Sequence, residues 1–453
     1  MRNANAASLV VKALAAGIPL ILAVYWPLYA INTDLLAMAL RPVMLVAALV
    51  MGVCLMGQPL TRAEFSLIKV FGLMALTLLV TSIAADDPMT ALAEWFKLVL
   101  IQLFALLMVR ALRHGPTAQT LGKWMALASV FIGLYIVYVY LHMMGPVLPT
   151  YTSARALKGL AEKQNVPLNT IPFAAIVSYL CAVCILPMTR WLWAAGIFLV
   201  IVGSTLTGSR AILGVGLITA IVLWIFSWIR SADISKRVFG WMMLMVGVVG
   251  VLAVMIFLNS RAITAFTEGR WDLWRAASQK FLERPLMGYG FLSWKDDLVS
   301  RLPGEYALTR SLSEHIAGGY HNEYMTALAE QGVVGASVVF TLYFFLVRTG
   351  WKLAFNKSYT WTGGKWALFA GLFLTLRANV EIPGLFGSFQ EPADYLAYIL
   401  LAVIISRMSY EEDYVRAATE VQRSSAIAWA MQNRPRRKPT PIQTAGEPAL
   451  GAD

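Results

Sequence analysis

Apolar residues recur along this chain in long, nearly unbroken runs, not at the three-and-four or alternate spacing of a soluble helix or strand. The runs lie at about residues 13–31, 36–57, 65–84, 95–110, 123–145, 169–188, 191–207, 211–229, 239–258, 324–347, 365–381 and 393–408. Most approach the roughly 20 residues that a helix needs to cross a bilayer. The pattern predicts an all-α polytopic membrane protein with about 12 transmembrane helices, the runs at 95–110 and 365–381 being the weakest. Residues 1–258 would hold spans one to nine, with a loop at 146–168. A second, longer loop would occupy 259–322, spans ten to twelve 323–408, and a basic tail 409–453. No internal repeat, inverted or parallel, is evident.

Composition agrees with this layout. Of 453 residues, 58% are hydrophobic and only 14% charged, against about 25% charged in ordinary soluble domains. A soluble enzyme, a disordered chain and a disulfide scaffold are thereby excluded. The net charge of +12 would point to nucleic acid in a soluble protein. Here no basic segment is interleaved with aromatic residues, so no nucleic-acid partner is expected. Lys and Arg in the loops of a membrane protein instead set its orientation and meet anionic lipid.

With the amino terminus in the cytoplasm, Arg62, Arg110, Arg113, Lys123, Arg190, Arg230, Lys236, Arg237, Arg348, Lys352, Lys365 and Arg407 all fall on the cytoplasmic side. The opposite loops at 32–35, 85–94 and 382–392 hold no Lys or Arg. Both termini are then cytoplasmic, and the Pro- and Arg-rich stretch from Arg434 onward is expected to be partly disordered. Cys54, Cys181 and Cys184 lie within apolar runs; Cys181 and Cys184 share a helix face with no second Cys/His pair nearby, which favours packing over redox or metal chemistry. No cleavable signal is expected, because the first apolar run has no small-residue cleavage site.

Two outer loops are both long and charged, which marks them as functional. One is 146–168, with Arg155, Lys158 and Lys163. The other, 259–322, contains an amphipathic pattern from Arg270 that places Trp271, Trp274, Ser278 and Phe281 on one helical stripe. Pro285 would end that helix and Gly288-Tyr-Gly290 would turn the chain. A Trp-rich amphipathic helix beside a membrane is expected to lie in the interface. Residues 259–322 thus read as a small helical external domain.

Charge at membrane depth is expensive and marks function by default. Arg210 follows a Gly208-Ser209 turn on the outer side, where its planar fork suits phosphate oxygens; the alternative is snorkelling to headgroups. Arg377 could bind an anion or simply pair with Glu381 four residues on. Arg270 opens the amphipathic helix and is the better anion contact there. Arg275 projects about 140° away and is secondary. His114 and His142 read as structural. His321, after Gly318 and Gly319 at the start of a span, can act as a general base, or as a hydrogen-bonded boundary histidine. Tyr320 and Glu323 flank it as secondary candidates. Glu314, His315, His321 and Glu323 match no established metal-ligand spacing, so no metal or other cofactor is expected. Gly288-Tyr-Gly290 lacks the third glycine of a dinucleotide site, and no serine-hydrolase or nucleotide-binding motif is present. External arginines with a candidate base suit group transfer from a diphosphate-linked lipid donor.

Thr-Gly-Ser-Arg210-Ala, then Gly-Arg270-Trp-Asp-Leu-Trp before Glu-Arg-Pro-Leu-Met-Gly-Tyr-Gly-Phe, then His321-Asn-Glu-Tyr leading into Glu-Gln-Gly-Val-Val-Gly resembles the O-antigen ligase family. The resemblance covers about residues 200–335; the remainder agrees only in being multi-spanning. It implies a GT-C-type glycosyltransferase of the bacterial inner membrane, with its active site facing the periplasm. A ligase of this kind moves O-antigen polysaccharide from undecaprenyl pyrophosphate to a sugar hydroxyl of lipid A–core, without metal and with inversion. Carried over residue by residue, His321 would be the base, and Arg210 and Arg270 would hold the pyrophosphate. O-antigen polymerases and protein O-oligosaccharyltransferases share these landmarks, so the acceptor stays open, with the short tail favouring lipid A–core. From another class, a lipid-linked glycan transporter or flippase would also have many spans and intramembrane charge. Transporters often show repeated halves and broken helices near mid-membrane, whereas the polar residues here gather at one face.

Overall fold

The computed structural model describes residues 2–29, 59–113, 115–146, 170–207, 210–257, 270–290, 320–356, 363–379 and 392–432, with isolated positions between them, Leu385 among these. Among the described residues the protein is helical, without strands. The helices are α1 (Arg2–Tyr29), α2 (Arg62–Ile83), α3 (Pro88–Leu112), α4 (Gly115–Met144), α5 (Thr170–Val183) and α6 (Arg190–Thr205). They continue with α7 (Arg210–Ile229), α8 (Ile234–Phe257), α9 (Arg270–Glu283), α10 (Glu323–Phe355), α11 (Gly364–Arg377) and α12 (Pro392–Gln432). Every apolar run of the sequence coincides with one of these except 36–57, which lies outside the described residues. So do the loop at 146–168, apart from its first residue and isolated positions, and the tail beyond Gln432. Among the described residues, four helices are long and apolar enough to cross a membrane: α2, α3, α4 and α10. Shorter apolar stretches occupy α5, α6 and α7.

The apolar residues sort into a buried stripe and an exposed one. In α2, Leu67, Phe71, Met74 and Leu78 recur at helical spacing and are buried, while Leu73, Leu76 and Val80 on the other side are exposed. Leu134 and Tyr138 of α4, Leu217 of α7 and Phe344 of α10 are likewise exposed. A continuous outer surface of this kind is stable against lipid and not against water. The protein is a helical membrane protein.

Basic residues mark one end of the bundle. Arg113 donates to the Pro59 carbonyl at 3.0 Å and pairs with Asp413 at 2.7 Å and Glu64 at 3.4 Å. Thr61 and Glu64 form a reciprocal cap on α2, and the Thr61 hydroxyl meets that of Ser409 at 2.8 Å. Arg407 donates to the Ile185 carbonyl at 2.8 Å, and Arg230 lies over the rings of Trp351 and Phe355. The starts of α2 and α6 and the ends of α3, α5, α7 and α10 therefore share this basic end. That grouping agrees with the alternation of Lys and Arg along the sequence. Helix α12 continues unbroken to Gln432, far beyond the apolar run that ends at 408.

At the opposite end, the chain folds sharply within α10. Gly332 has φ 63° and ψ −168°, a conformation open essentially to glycine alone. Beyond it the helix reverses. Tyr343 donates to the Glu323 carboxylate, and the Tyr324 ring stacks on Phe340 at 4.6 Å. Residues that far apart in a straight helix would be separated by about 30 Å. Hence α10 is two arms, 323–331 and 333–355, packed against each other. The span predicted to open at 324 opens instead after the bend, with 323–331 as a separate arm. The apolar run reads straight through the bend because both arms are apolar; only Glu330-Gln-Gly332 breaks it.

The bend is made by two glycine motifs together. Val333 and Val334, the first N–H groups of the long arm, donate to the carbonyls of Pro285 at 2.8 Å and Leu286 at 3.3 Å, which satisfies donors a helix start leaves bare. Gly290 returns a bond to the Glu330 carbonyl at 2.6 Å. A Cβ at Gly332 would sit 2.3 Å from the Leu286 oxygen, and one at Gly288 2.3 Å from the Glu330 oxygen. Here two backbones cross at a distance only glycine allows. Arg284 pairs with Asp86 of the α2–α3 turn at 2.9 Å, and the Thr81 hydroxyl donates to Gln331. The bend thus lies level with that turn, opposite the basic end.

Candidate functional site

The arm 323–331 carries its first residues inward from the bend by about 13 Å, at 1.5 Å per residue. His321 therefore precedes a re-entrant arm, not the opening of a span at the membrane boundary. Its φ of 49° is the only positive φ of a non-glycine residue among those described. Left-handed backbone is costly for such a residue and persists where its surroundings enforce it. They do so from both sides. Trp274 of α9 donates its indole N–H to the Tyr320 carbonyl at 3.1 Å. The Asn322 side chain caps the arm, accepting from the N–H groups of Tyr324 and Met325 at 3.0 Å, and donates to the Asn379 carbonyl at 2.8 Å. The Glu323 amide bonds the Ala378 carbonyl at 2.8 Å. His321 itself is partly exposed, between buried Tyr320 and buried Asn322.

Helix α9 packs on this arm. Leu273, Ala276 and Ala277 form a small core with Tyr320 and Ala329, and Trp274 and Met325 border it. Of the expected stripe of Trp271, Trp274, Ser278 and Phe281, the side chain of Trp271 lies outside the described residues and the other three are only partly buried, while the buried face includes Leu273, Ala276, Ala277 and Lys280. Small side chains let the two helices approach closely, so one face of α9 docks on the α10 arm. Arg270 opens α9 one turn before Trp274, which brings that end of the helix toward the Tyr320–His321 segment. Arg275 is exposed, away from the buried face.

Arg210 is the first residue of α7. The other end of α7 meets the basic end of α10, where Phe226 packs edge-on against Trp351 at 5.1 Å. The amino-terminal end of α7 thus faces the same side as the Gly332 bend. Backbone, not side chains, is described at Arg210 and Arg270. Arg210 and Arg270 are the first residues of α7 and α9, and His321 precedes α10 by two residues; Arg210 lies near the level of the bend, whereas the start of the arm beside His321 lies about 13 Å inward of it. α9 and α7 are linked by packing through α10 and α11.

Arg377 ends α11 and is 2% exposed, its guanidinium 3.7 Å from the centre of the Phe173 ring. A cation at a helix carboxy terminus, over an aromatic face, is doubly favoured. Its proposed partner Glu381 lies outside the described residues, as do Glu314 and His315 of the metal reading. Glu323 is fully buried and accepts from Tyr343. Asn322, Trp274, Tyr343 and Tyr398 were not foreseen as part of this region. Tyrosine and tryptophan within apolar runs give no polar signal, whereas Gln102 and Asp394, both buried beside Tyr398, interrupt such runs and could have been noticed.

Together these features define a helical membrane protein with an arm folded back into the bundle from the end opposite the basic one. Residues 195–340 match the family model described as O-antigen ligase. The match spans Arg210, Arg270 and His321 and supports the family that the sequence motifs resemble. A comparison with curated proteins found no match.

Proposed function

We propose that this protein is a membrane glycosyltransferase of the O-antigen ligase type. It would move a polysaccharide from undecaprenyl pyrophosphate to a sugar hydroxyl of lipid A–core. In this account the chain has about 12 spans in a GT-C-type arrangement. It sits in the bacterial inner membrane with both termini cytoplasmic and the bend of α10 on the periplasmic side. The observation that carries the proposal is the ligase-family match over residues 195–340, the stretch that contains Arg210, Arg270 and His321.

His321 removes the proton of the acceptor hydroxyl as that oxygen attacks the anomeric carbon. The bond from that carbon to the diphosphate breaks, and the lipid diphosphate departs with the electron pair. Arg210 and Arg270 neutralise the charge that grows on it, aided by the amino-terminal dipoles of α7 and α9. One in-line displacement inverts the anomeric centre. The sugar–diphosphate bond supplies the driving force, so ATP is not required.

Irregular backbone at membrane depth, as at the His321 arm, also occurs in transporters. Proteoliposomes with labelled lipid-linked glycan and added lipid A–core separate the possibilities. Label on lipid A–core without ATP is the expected result. Growth of the glycan on its own carrier would instead indicate a polymerase, and label crossing the bilayer untransferred would indicate a transporter. Because arginines supply the positive charge, turnover should persist under strong chelation. Loss restored by a divalent ion would overturn the metal-free mechanism and bring back Glu314, His315, His321 and Glu323 as ligands.

A further inference from the structure

One buried polar cluster next to His321 has no part in the chemistry above. The Tyr343 hydroxyl donates to the Glu323 carboxylate and accepts from the Leu385 amide at 3.3 Å. On the far side of Leu385, the Tyr398 hydroxyl donates to its carbonyl at 2.8 Å. Glu323, Leu385 and Tyr398 are fully buried, and Tyr343 is 2% exposed. The cluster therefore fastens four pieces of chain: the arm of α10, its long span, the residue Leu385 and α12.

Two physical consequences follow. A carboxylate withdrawn from water within a membrane protein is strongly unfavourable unless it is hydrogen-bonded, so the Glu323–Tyr343 bond favours the folded-back arm. The two tyrosines also satisfy the Leu385 amide and carbonyl, backbone groups that are costly to leave unpaired away from water. The Glu323 amide is held by Ala378 and its carboxylate by Tyr343, which leaves His321, two residues earlier, little freedom to move along the bundle axis.

We propose that Glu323 and Tyr343 form a positioning lock that fixes where His321 meets the acceptor hydroxyl; this rests on His321 acting as the base. Glu323 is not itself the proton acceptor. Its carboxylate is turned to Tyr343 and is inaccessible, whereas His321 is partly exposed. Misplacing a reacting group by about 1 Å can cost on the order of a hundredfold in rate without altering substrate affinity.

The test uses the full chain in lipid nanodiscs, with hydrogen–deuterium exchange of the 320–331 segment and transfer kinetics measured on Tyr343→Phe, Glu323→Gln and His321→Ala. Tyr343→Phe keeps the ring and loses the hydroxyl. It should raise exchange in 320–331 and lower kcat by about 10- to 100-fold with the donor KM unchanged. Glu323→Gln still offers an oxygen to Tyr343, so it should keep wild-type exchange and stay within about threefold of wild-type turnover. Wild-type exchange and turnover in Tyr343→Phe would overturn the lock. So would a Glu323→Gln protein with normal exchange that is as inactive as His321→Ala, since the carboxylate would then take part in proton transfer. Full turnover in His321→Ala would overturn the base assignment instead, and the exchange data would decide the lock independently.

Discussion

Replacing His321 by alanine should slow glycan transfer by about 10²- to 10⁴-fold, the usual contribution of a positioned general base. Donor binding should be preserved, because the imidazole acts on the acceptor and not on the diphosphate. The substitution is also a mild one for the fold. His321 is partly exposed, and the hydrogen bonds that hold its surroundings belong to Tyr320, Asn322 and Glu323. Alanine is somewhat less tolerant than histidine of a φ of 49°, so His321→Asn serves as a second variant, asparagine accepting left-handed backbone more readily. Both should be stable and inactive in single-turnover transfer. Near-normal rates in either one would remove His321 from the chemistry.

Gly332→Ala should produce a large structural loss. The new Cβ would meet the Leu286 carbonyl oxygen at 2.3 Å, and both partners are main chain held by reciprocal hydrogen bonds. Neither can rotate aside. The backbone at this position carries a further cost of about 1–3 kcal/mol for any residue with a side chain. Gly288→Ala strikes the same crossing from the other strand, 2.3 Å from the Glu330 oxygen, and should match it. At Gly72, where no atom lies within 4 Å, alanine should be neutral. Thermal unfolding in detergent measures all three. A Gly332→Ala protein as stable as Gly72→Ala would mean that the two backbones do not cross as described.

The placement of the apolar helices among the described residues was legible in the sequence because burial in lipid demands continuous apolar runs. So was the sharing of one end by Arg62, Arg113, Arg190, Arg230 and Arg407, which follows from Lys and Arg alternating from loop to loop. The bend in α10 was not. It depends on Gly332 meeting Pro285, Leu286 and Gly288, and no local pattern announces a contact between two glycine motifs some forty residues apart. For the same reason Gly288-Tyr-Gly290 read as a simple turn, although its glycines exist for the crossing. The aromatic stripe of α9 pointed to lipid, and the face that docks on the α10 arm, with Ala276 and Ala277, was not foreseen. Around His321, the sequence indicated the residue but not its depth, because that depth is set by Gly332 and Tyr343, well beyond the motif.

Binding of undecaprenyl diphosphate, the departing lipid without its sugar, reports most directly on the site proposed at the beginnings of α7, α9 and α10. Titrated into nanodiscs by a fluorescence or calorimetric readout, it should bind wild type and His321→Ala equally. Arg210→Ala and Arg270→Ala should each weaken it by about tenfold or more, the scale of one charge-assisted contact. Equal binding by all four proteins would contradict the account, since neither arginine would then be holding a diphosphate.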